Sequence, residues 1–247
     1  MNWSVVWDNI PLFMAGLGLT LQISIAAAAI AGVGGLLVAL MRLSRLRVLS
    51  ITAAVFINVL RSIPPFALII YVYYGIAMAI GVNFTPFFAG VLALSLQYAA
   101  WMAEVYRAGI QAVPVGQREA AASLGFGPVG AFTTVVLPQA LRIVVPPLGN
   151  NVVGIIKDSS LVSYIGVMEL TRTSQLLVSQ TFRPFEVYTA TIVFYLILTI
   201  LVSQIFSLVE RRTATTRSTG RGIRRMSASR SRRIERLQSF VGTAATD

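Results

Sequence analysis

The sequence contains no cysteine and no histidine, and these two absences exclude most catalytic and metal-binding chemistry. Without thiols and imidazoles the chain has no disulfide framework, no thiol nucleophile, no imidazole base and neither of the commonest zinc ligands. Charge is also scarce, since charged residues make up 12% of the 247 residues, against about 25% in soluble domains. We therefore expect neither a soluble enzyme nor a metal centre.

The chain is instead rich in long apolar runs. Hydrophobic residues make up 56% of it, and the mean hydropathy is +0.76. Residues 9–41 contain no charged residue, and neither do residues 62–103. About 20 apolar residues in a helix cross the roughly 30 Å hydrocarbon layer of a membrane. The sequence therefore predicts an all-α, integral membrane helical bundle.

Five transmembrane helices account for the apolar runs. The first is predicted near Leu12–Met41, and residues 62–103 hold the second and the third, separated by a tight hairpin. Residues 48–60 are only moderately apolar, so they form either an interfacial helix or the inner extension of the second span. Pro64 and Pro65 bend or start the helix at that point, because proline lacks the backbone donor that a helix interior needs.

The fourth span is predicted at Gln139–Ile156 and the fifth at Val187–Val209. Glycine and proline cluster in residues 125–130, which is typical of a turn and not of a lipid-facing helix. Within the fourth span, the adjacent Pro146 and Pro147 predict an interrupted helix that lines protein or a cavity.

Small residues recur every four positions in the first span, at Ala27, Ala31 and Gly35. Such a ridge allows another helix to approach closely. We interpret it as a packing surface.

The excess positive charge lies at the C-terminal end. Of the net charge of +11, residues 211–247 contribute +8, from ten arginines against two acids. This polar segment has little to bury, so residues 1–210 are predicted as the transmembrane domain and residues 211–247 as a disordered, Arg-rich tail. After a hydrophobic span, attraction to anionic lipid is a better interpretation of the tail than nucleic-acid binding.

Basic loops favour the cytoplasmic side of a membrane, and this rule sets the orientation. The basic loop at residues 42–47 and the tail should both be cytoplasmic. An even number of crossings must separate them, which agrees with four spans after that loop. The sequence thus predicts an external N-terminus and a cytoplasmic C-terminus.

The most specific pattern lies in the largest polar connection, residues 104–142. Its members are, in order, Glu119, Ala120, Ala121, Gly125, Val135, Leu137 and Pro138. The pattern resembles the signature loop of ABC-importer permease subunits, in which isoleucine takes the place of Val135. Further segments, at residues 103–110, 146–150 and 157–161, are similar to the polar amino-acid branch of that superfamily. The resemblance spans roughly Gly16–Arg211.

The resemblance implies the type I ABC importer permease fold, with five transmembrane helices and a cytoplasmic coupling helix, in a bacterial inner membrane. It also implies transport of a polar amino acid by alternating access. The implied partners are a pair of ATP-binding subunits, a second permease subunit that is identical or homologous, and an external solute-binding protein. The chain has no phosphate-binding GxxxxGK[ST] sequence, so ATP hydrolysis is expected on a separate subunit and no cofactor is expected here.

A short helix at Gln117–Leu124 suits docking on a partner. Pro114 can open it, its alanine face allows close approach in a groove, and Glu119 near its start opposes the positive helix end. The plainer alternative is capping by Glu119 and turn formation by Gly125. The residues assigned to coupling with the ATPase are Glu119, Ala120, Ala121, Gly125, Leu137 and Pro138.

Polar side chains at membrane depth are costly and usually face a cavity or one another. The candidates for the substrate pathway are Gln97, Asn150, Asn151, Lys157 and Asp158. The amides offer donors and acceptors to a zwitterion, and the Lys–Asp pair offers both charges that a free amino acid needs. The alternatives are hydrogen bonds between helices for the amides and anchoring at the interface for the charged pair. Glu104 and Arg107, three residues apart, are predicted to form an intrahelical ion pair.

Two other classes of protein compete with an ABC permease. One is an ion-coupled secondary amino-acid carrier, which conflicts with the lack of an acid in mid-span and with the docking motif. The other is a membrane scaffold with a nucleic-acid-binding tail.

Overall fold

A computed structural model describes residues 3–213 of the chain, and every regular element in that range is helical. The all-α prediction is confirmed. The helices are, in chain order, α1 (Ser4–Asp8), α2 (Ile10–Arg42), α3 (Arg47–Ser62), α4 (Pro65–Ile70), α5 (Ala77–Ile80), α6 (Pro86–Gln111), α7 (Val115–Ser123), α8 (Pro128–Ala131), α9 (Leu137–Asp158), α10 (Leu170–Thr181) and α11 (Pro184–Thr213).

Two π-helical turns and one 3-10 turn extend these helices. The π-helical turns are Tyr71–Ile76, between α4 and α5, and Phe132–Val136, between α8 and α9. The 3-10 turn is Ser159–Ile165, which continues α9. From residue 214 onward the predicted tail lies outside the described residues, so the division at residue 210 stays a prediction.

Four helical stretches are long and apolar enough to cross a membrane, namely Ile10–Arg42, Pro86–Gln111, Pro128–Ile165 and Pro184–Arg211. The pair Arg47–Ser62 and Pro65–Ile80 passes the same test together but bends by 106° at its break. The described residues therefore hold four spans, or five when the bent pair is counted as one. The predicted five spans correspond to the second count.

The bend between α3 and α4 follows from the two prolines. Ile63 and Pro64 adopt extended backbone conformations, with ψ of 129° and 138°, and Pro65 is the first residue of α4. A residue that precedes proline is pushed out of the helical region, so Ile63 and Pro64 both leave it. Residues 48–60 therefore belong to a separate helix and not to a straight extension of the second span.

The fourth span departs from the prediction in two ways. Helical structure begins at Pro128, so residues 128–130 open the helix instead of belonging to the turn. Proline suits the first helical position, where its missing donor is not needed. The predicted interruption at Pro146 and Pro147 is wrong, since α9 runs unbroken from Leu137 to Asp158. The φ angle of proline is that of a helix, and a membrane helix tolerates lost donors when neighbouring helices pack around it.

The main packing surface joins α2 to α6. Ala27, Ala31 and Ala39 are fully buried, and Gly35 lies on the same stripe. A Cβ atom on Gly35 would lie 2.9 Å from the carbonyl oxygen of Ala99, so only glycine permits this approach. The predicted ridge of small residues is thus a helix-packing surface. This packing fixes the position of α6, the helix that carries Gln97 and Tyr98.

A buried carboxylate stabilises the segment between the last two spans. Glu169 is 0% exposed and caps α10, accepting hydrogen bonds from the backbone N–H groups of Thr171 and Arg172, both at 2.8 Å. The Tyr195 hydroxyl of α11 donates to the same carboxylate at 2.8 Å. Burial raises the pKa of Glu169 above its usual value, and these donors oppose the rise. Glu169 therefore ties α10 to α11.

Candidate functional site

A cavity of about 460 Å³ lies between α9, α6 and the break that separates α3 from α4. We call it the polar cavity. Its lining comprises Arg61, Ser62, Ile63, Pro64, Pro65, Gln97, Tyr98, Trp101, Asn150, Asn151, Gly154 and Asp158. Four of the five predicted pathway residues, all except Lys157, are thus brought together. Lys157 is exposed at the end of α9 and does not line this cavity.

Asp158 is held by a tyrosine from the neighbouring helix. The Tyr98 hydroxyl of α6 donates to Oδ2 of Asp158 at 2.8 Å. Gly154, one turn before Asp158, makes this contact sterically possible, because a Cβ atom there would lie 2.6 Å from the hydroxyl oxygen. The sequence shows Tyr98 only as a polar residue in a span, and its partner 60 positions away could not be read from it.

The amide of Gln97 stabilises the break between α3 and α4. Its Nε2 donates to the carbonyl oxygens of Ile63 at 2.7 Å and Leu60 at 3.3 Å. Carbonyl groups at the end of a helix lack intrahelical partners, so a side-chain donor satisfies them. In this conformation Gln97 shapes the wall of the polar cavity.

The two asparagines lie side by side on α9 and differ in environment. Asn150 is exposed, whereas Nδ2 of Asn151 is buried and has no hydrogen-bond acceptor among the described residues. A buried donor without an acceptor costs about 1–3 kcal/mol. The Asn151 amide is therefore a donor available to a bound molecule.

Arg61 is the basic residue of the polar cavity, and sequence reasoning did not assign it. Its guanidinium carbon lies 4.4 Å from the ring centroid of Trp101, a cation–π contact that fixes its position. The only signal in the sequence is a single arginine three residues before Pro64. The polar cavity thus contains one arginine and one aspartate besides its amides.

The motif segment forms a short exposed helix, as predicted. α7 spans Val115–Ser123 and follows Pro114; Glu119 and Ala120 are exposed on it, whereas Ala121 is buried. Gly125 has φ of 83°, a left-handed conformation that a side chain would strain. The apolar side chains of Leu124 and Val129 next to it are 78% and 75% exposed. This surface is typical of a site that a partner covers.

Two hydrogen bonds link α7 to the helices that line the polar cavity. Nη2 of Arg118 donates to the carbonyl oxygen of Ile110 on α6 at 3.0 Å. Nε2 of Gln139 on α9 donates to Oε1 of Gln117 at 3.3 Å. The motif's Leu137 and Pro138 are the first two residues of α9. α7 is therefore hydrogen-bonded to both α6 and α9.

The described residues contain no group of three or more side chains that could hold a metal ion. The predicted Glu104–Arg107 pair is confirmed, with Nη2 of Arg107 2.6 Å from the Glu104 carboxylate.

Comparison with known proteins decides the family. The family described as "Binding-protein-dependent transport system inner membrane component" matches residues 31–215. The chain belongs to this family. It is a multi-pass inner-membrane protein and a permease subunit of the ABC amino-acid class.

Among its relatives is the glutamine transport system permease protein GlnP of Escherichia coli K12, 38% identical over 212 residues, which cover 85% of this chain and 97% of that protein. The octopine transport system permease protein OccM of Rhizobium radiobacter is 35% identical over 213 residues, which cover 83% and 87%. These relatives give no support to the ion-coupled carrier.

Solved structures of permeases share the fold. A crystal structure of an amino acid ABC transporter with histidines matches with a TM-score of 0.81 and 38% identity, covering 86% of this chain and 99% of the other. The MetNI methionine ABC transporter in an inward-facing conformation matches with a TM-score of 0.73, covering 84% and 99%. Its identity of 20% shows the fold alone. The predicted type I ABC importer permease fold is confirmed.

Proposed function

We propose that a polar amino acid crosses the membrane through the polar cavity. Asp158 accepts the α-ammonium group once the Tyr98 hydroxyl has moved away, and Nδ2 of Asn151 donates to the α-carboxylate. The observation that carries this proposal is that the polar cavity is lined both by an aspartate and by a buried amide donor that has no acceptor among residues 3–213. A zwitterion requires an acceptor and a donor of this kind.

The other predicted pathway residues take supporting roles. Asn150 adds a second amide to the cavity wall, and Gln97 holds the α3–α4 break in place. Lys157 lies at the exposed end of α9. Its charge attracts the carboxylate of the amino acid at the mouth of the route.

ATP is hydrolysed on separate ATP-binding subunits, and α7 transmits their closure to the permease. Glu119 and Ala120 are exposed for docking, and Gly125 gives the chain its turn after the helix. The hydrogen bonds from α7 to α6 and α9 support this role, because those two helices line the polar cavity. Leu137 and Pro138 begin α9 and move with it.

The complete transporter contains two ATP-binding subunits, a second permease that is identical or homologous, and an external binding protein. The family description, which names a binding-protein-dependent system, supports the last of these. The N-terminus is external, and α7 and the Arg-rich C-terminal end are cytoplasmic, in agreement with the positive-inside rule.

The cargo belongs to the polar amino acids, the class to which the relatives named for glutamine and octopine transport point. The polar cavity recognises the α-amino and α-carboxylate groups that all amino acids share. Side-chain selection therefore falls mainly to the external binding protein, and the permease is weakly selective.

Asp158→Asn and Asn151→Leu test this route. Each removes a hydrogen bond to a charged group, worth about 1.5–3 kcal/mol, so uptake should fall by roughly tenfold or more. The fall should be similar for every amino acid that the binding protein delivers. Uptake is measured with several amino acids and normalised to membrane-inserted protein, with Asp8→Asn, outside the polar cavity, as the control.

The normalisation separates a role in transport from a role in folding. Unchanged normalised uptake in both variants would remove these residues from the pathway. A loss confined to cationic amino acids would show that the permease itself selects the side chain.

A further inference from the structure

A second cavity, of about 210 Å³, lies between α2, α3 and α6. We call it the arginine cavity. Its polar wall consists of Arg42, Asn58, Arg61, Glu104 and Arg107. With three guanidinium groups and one carboxylate, the wall carries an excess of positive charge. Such a wall is suited to an oxyanion, because guanidinium binds carboxylate or phosphate through two parallel hydrogen bonds.

The charged side chains of the arginine cavity are fixed by four contacts. Arg107 pairs with Glu104 and also donates to Oε1 of Gln111 at 2.6 Å. Nη1 of Arg42 donates to the Ser50 hydroxyl at 2.7 Å. Arg61 is held over the ring of Trp101. The site is therefore positioned before any ligand arrives, which lowers the entropy lost on binding.

Arg42 and Arg61 retain charge that no carboxylate neutralises directly. Neither forms an ion pair with an acid in the part of the chain that the structure describes. Their present partners, a hydroxyl and an aromatic ring, are neutral. Each guanidinium has five donors, so both can serve an incoming anion without losing these contacts.

Arg61 lines both cavities. In the polar cavity it is accompanied by Asp158, and in the arginine cavity by Glu104. Each cavity thus offers one carboxylate for an ammonium group and at least one guanidinium for a carboxylate. The two cavities, each with the charges that suit a zwitterion, therefore share one arginine, Arg61.

We propose that the arginine cavity is a second amino-acid site, which receives the transported molecule after it leaves the polar cavity. Arg42 and Arg61 bind the α-carboxylate, and the Glu104 carboxylate, which already accepts from Arg107, accepts the α-ammonium group as a further donor. The inference rests on the proposed route through the polar cavity. In the proposed orientation Arg42 ends the first span on the cytoplasmic side, so this site is the last one before release.

Inhibition from the cytoplasmic side tests the second site. Proteoliposomes carry the complete transporter with ATP in the lumen, and the loaded binding protein is outside. The probe is the best transported of the 20 common L-amino acids, radiolabelled outside and unlabelled at graded concentrations in the lumen. Luminal amino acid should occupy the arginine cavity and lower the initial rate of uptake.

Arg42→Gln should raise the half-inhibitory luminal concentration by about tenfold or more, because it removes a charged donor to the carboxylate. Arg42→Lys keeps the charge and should give a smaller increase. Arg45→Gln removes an exposed arginine of the same loop and should leave the value unchanged. In the wild type, the α-amide analogue of the probe lacks the carboxylate. Its half-inhibitory luminal concentration should therefore be higher than that of the probe by about tenfold or more.

Several results would overturn the second site. The first is that luminal amino acid does not inhibit the wild type, and the second is that it inhibits Arg42→Gln at the wild-type concentration. The third is that the α-amide analogue or inorganic phosphate inhibits the wild type as strongly as the probe does. Asp158→Asn tests the proposed route separately. It should lower uptake but leave the half-inhibitory luminal concentration at its wild-type value. Full uptake in Asp158→Asn would reject the route without deciding the Arg42 result.

Discussion

At the scale of single residues, the contact between Tyr98 and Asp158 bears directly on the proposed binding of the amino acid. The Tyr98 hydroxyl donates a hydrogen bond to Oδ2 of Asp158, and we propose that the same carboxylate accepts the ammonium group of the amino acid. An incoming ammonium group must therefore compete with this hydroxyl. The net contribution of a hydrogen bond to a charged group is about 1.5–3 kcal/mol, so the competition weakens ligand binding by roughly tenfold or more.

Tyr98→Phe removes the competitor and should tighten binding of the amino acid to the permease by roughly tenfold or more. The measurement is equilibrium binding of radiolabelled amino acid to the complete transporter in nanodiscs, without the external binding protein. Tyr106→Phe is the matched control, since Tyr106 lies on the same helix but does not line the polar cavity. Unchanged or weaker binding in Tyr98→Phe would show that the hydroxyl does not compete with the ligand.

Residue type and position were enough to predict part of this site. Amides and acids stand out in apolar runs because burying them is costly, which is why Asn150, Asn151 and Asp158 were found. Lys157 adjoins Asp158 in sequence, but adjacent residues on a helix point about 100° apart, and only Asp158 faces the cavity. The place of Arg61 in both cavities depends on how three helices pack, which local sequence does not encode.

At the scale of elements, α7 and the turn after it are the segment that we assign to contact with the ATPase. Gly125 at φ of 83° and Gly127 at φ of −67° are both open to solvent, with no atom within 4 Å of an added Cβ. They differ mainly in backbone conformation, since a side chain at positive φ costs about 1 kcal/mol or more. The two glycines form a matched pair for testing the turn.

Gly125→Asp and Glu119→Lys should abolish uptake while the protein still inserts in the membrane. The first alters the turn and adds a charge, and the second reverses the charge that we assign to docking. Gly127→Asp adds the same charge without the positive-φ strain and should retain most of the activity. Uptake and co-purification of the ATPase are measured together; wild-type transport by Gly125→Asp or Glu119→Lys, with the ATPase bound, would contradict a coupling role.

Helix positions were predicted well where a local signal exists. The short helix was expected at 117–124 and is found at Val115–Ser123, because proline and glycine mark its two ends. The paired prolines of α9 misled the prediction, since lost donors do not end a helix that neighbouring helices support. The π-helical turns at Tyr71–Ile76 and Phe132–Val136 have no sequence signal that we can identify.

At the scale of the whole molecule, hydropathy and charge predicted the all-α membrane fold, because the bilayer permits few backbone structures. The small-residue ridge on α2 predicted close helix packing, but it did not identify α6 as the partner. The count of spans was harder to predict. The 106° bend between Arg47–Ser62 and Pro65–Ile80 lets one span be made from two helices.

The chain belongs to a family of ABC permease subunits, and we propose that its transport depends on ATP hydrolysed by partner subunits. The most direct test is the initial uptake of radiolabelled amino acid by proteoliposomes that contain this chain and its ATP-binding subunits, with loaded binding protein outside. We predict that uptake requires luminal ATP and persists when ionophores collapse the ion gradients. Uptake that proceeds without ATP and stops on addition of ionophore would contradict the account and show an ion-coupled carrier.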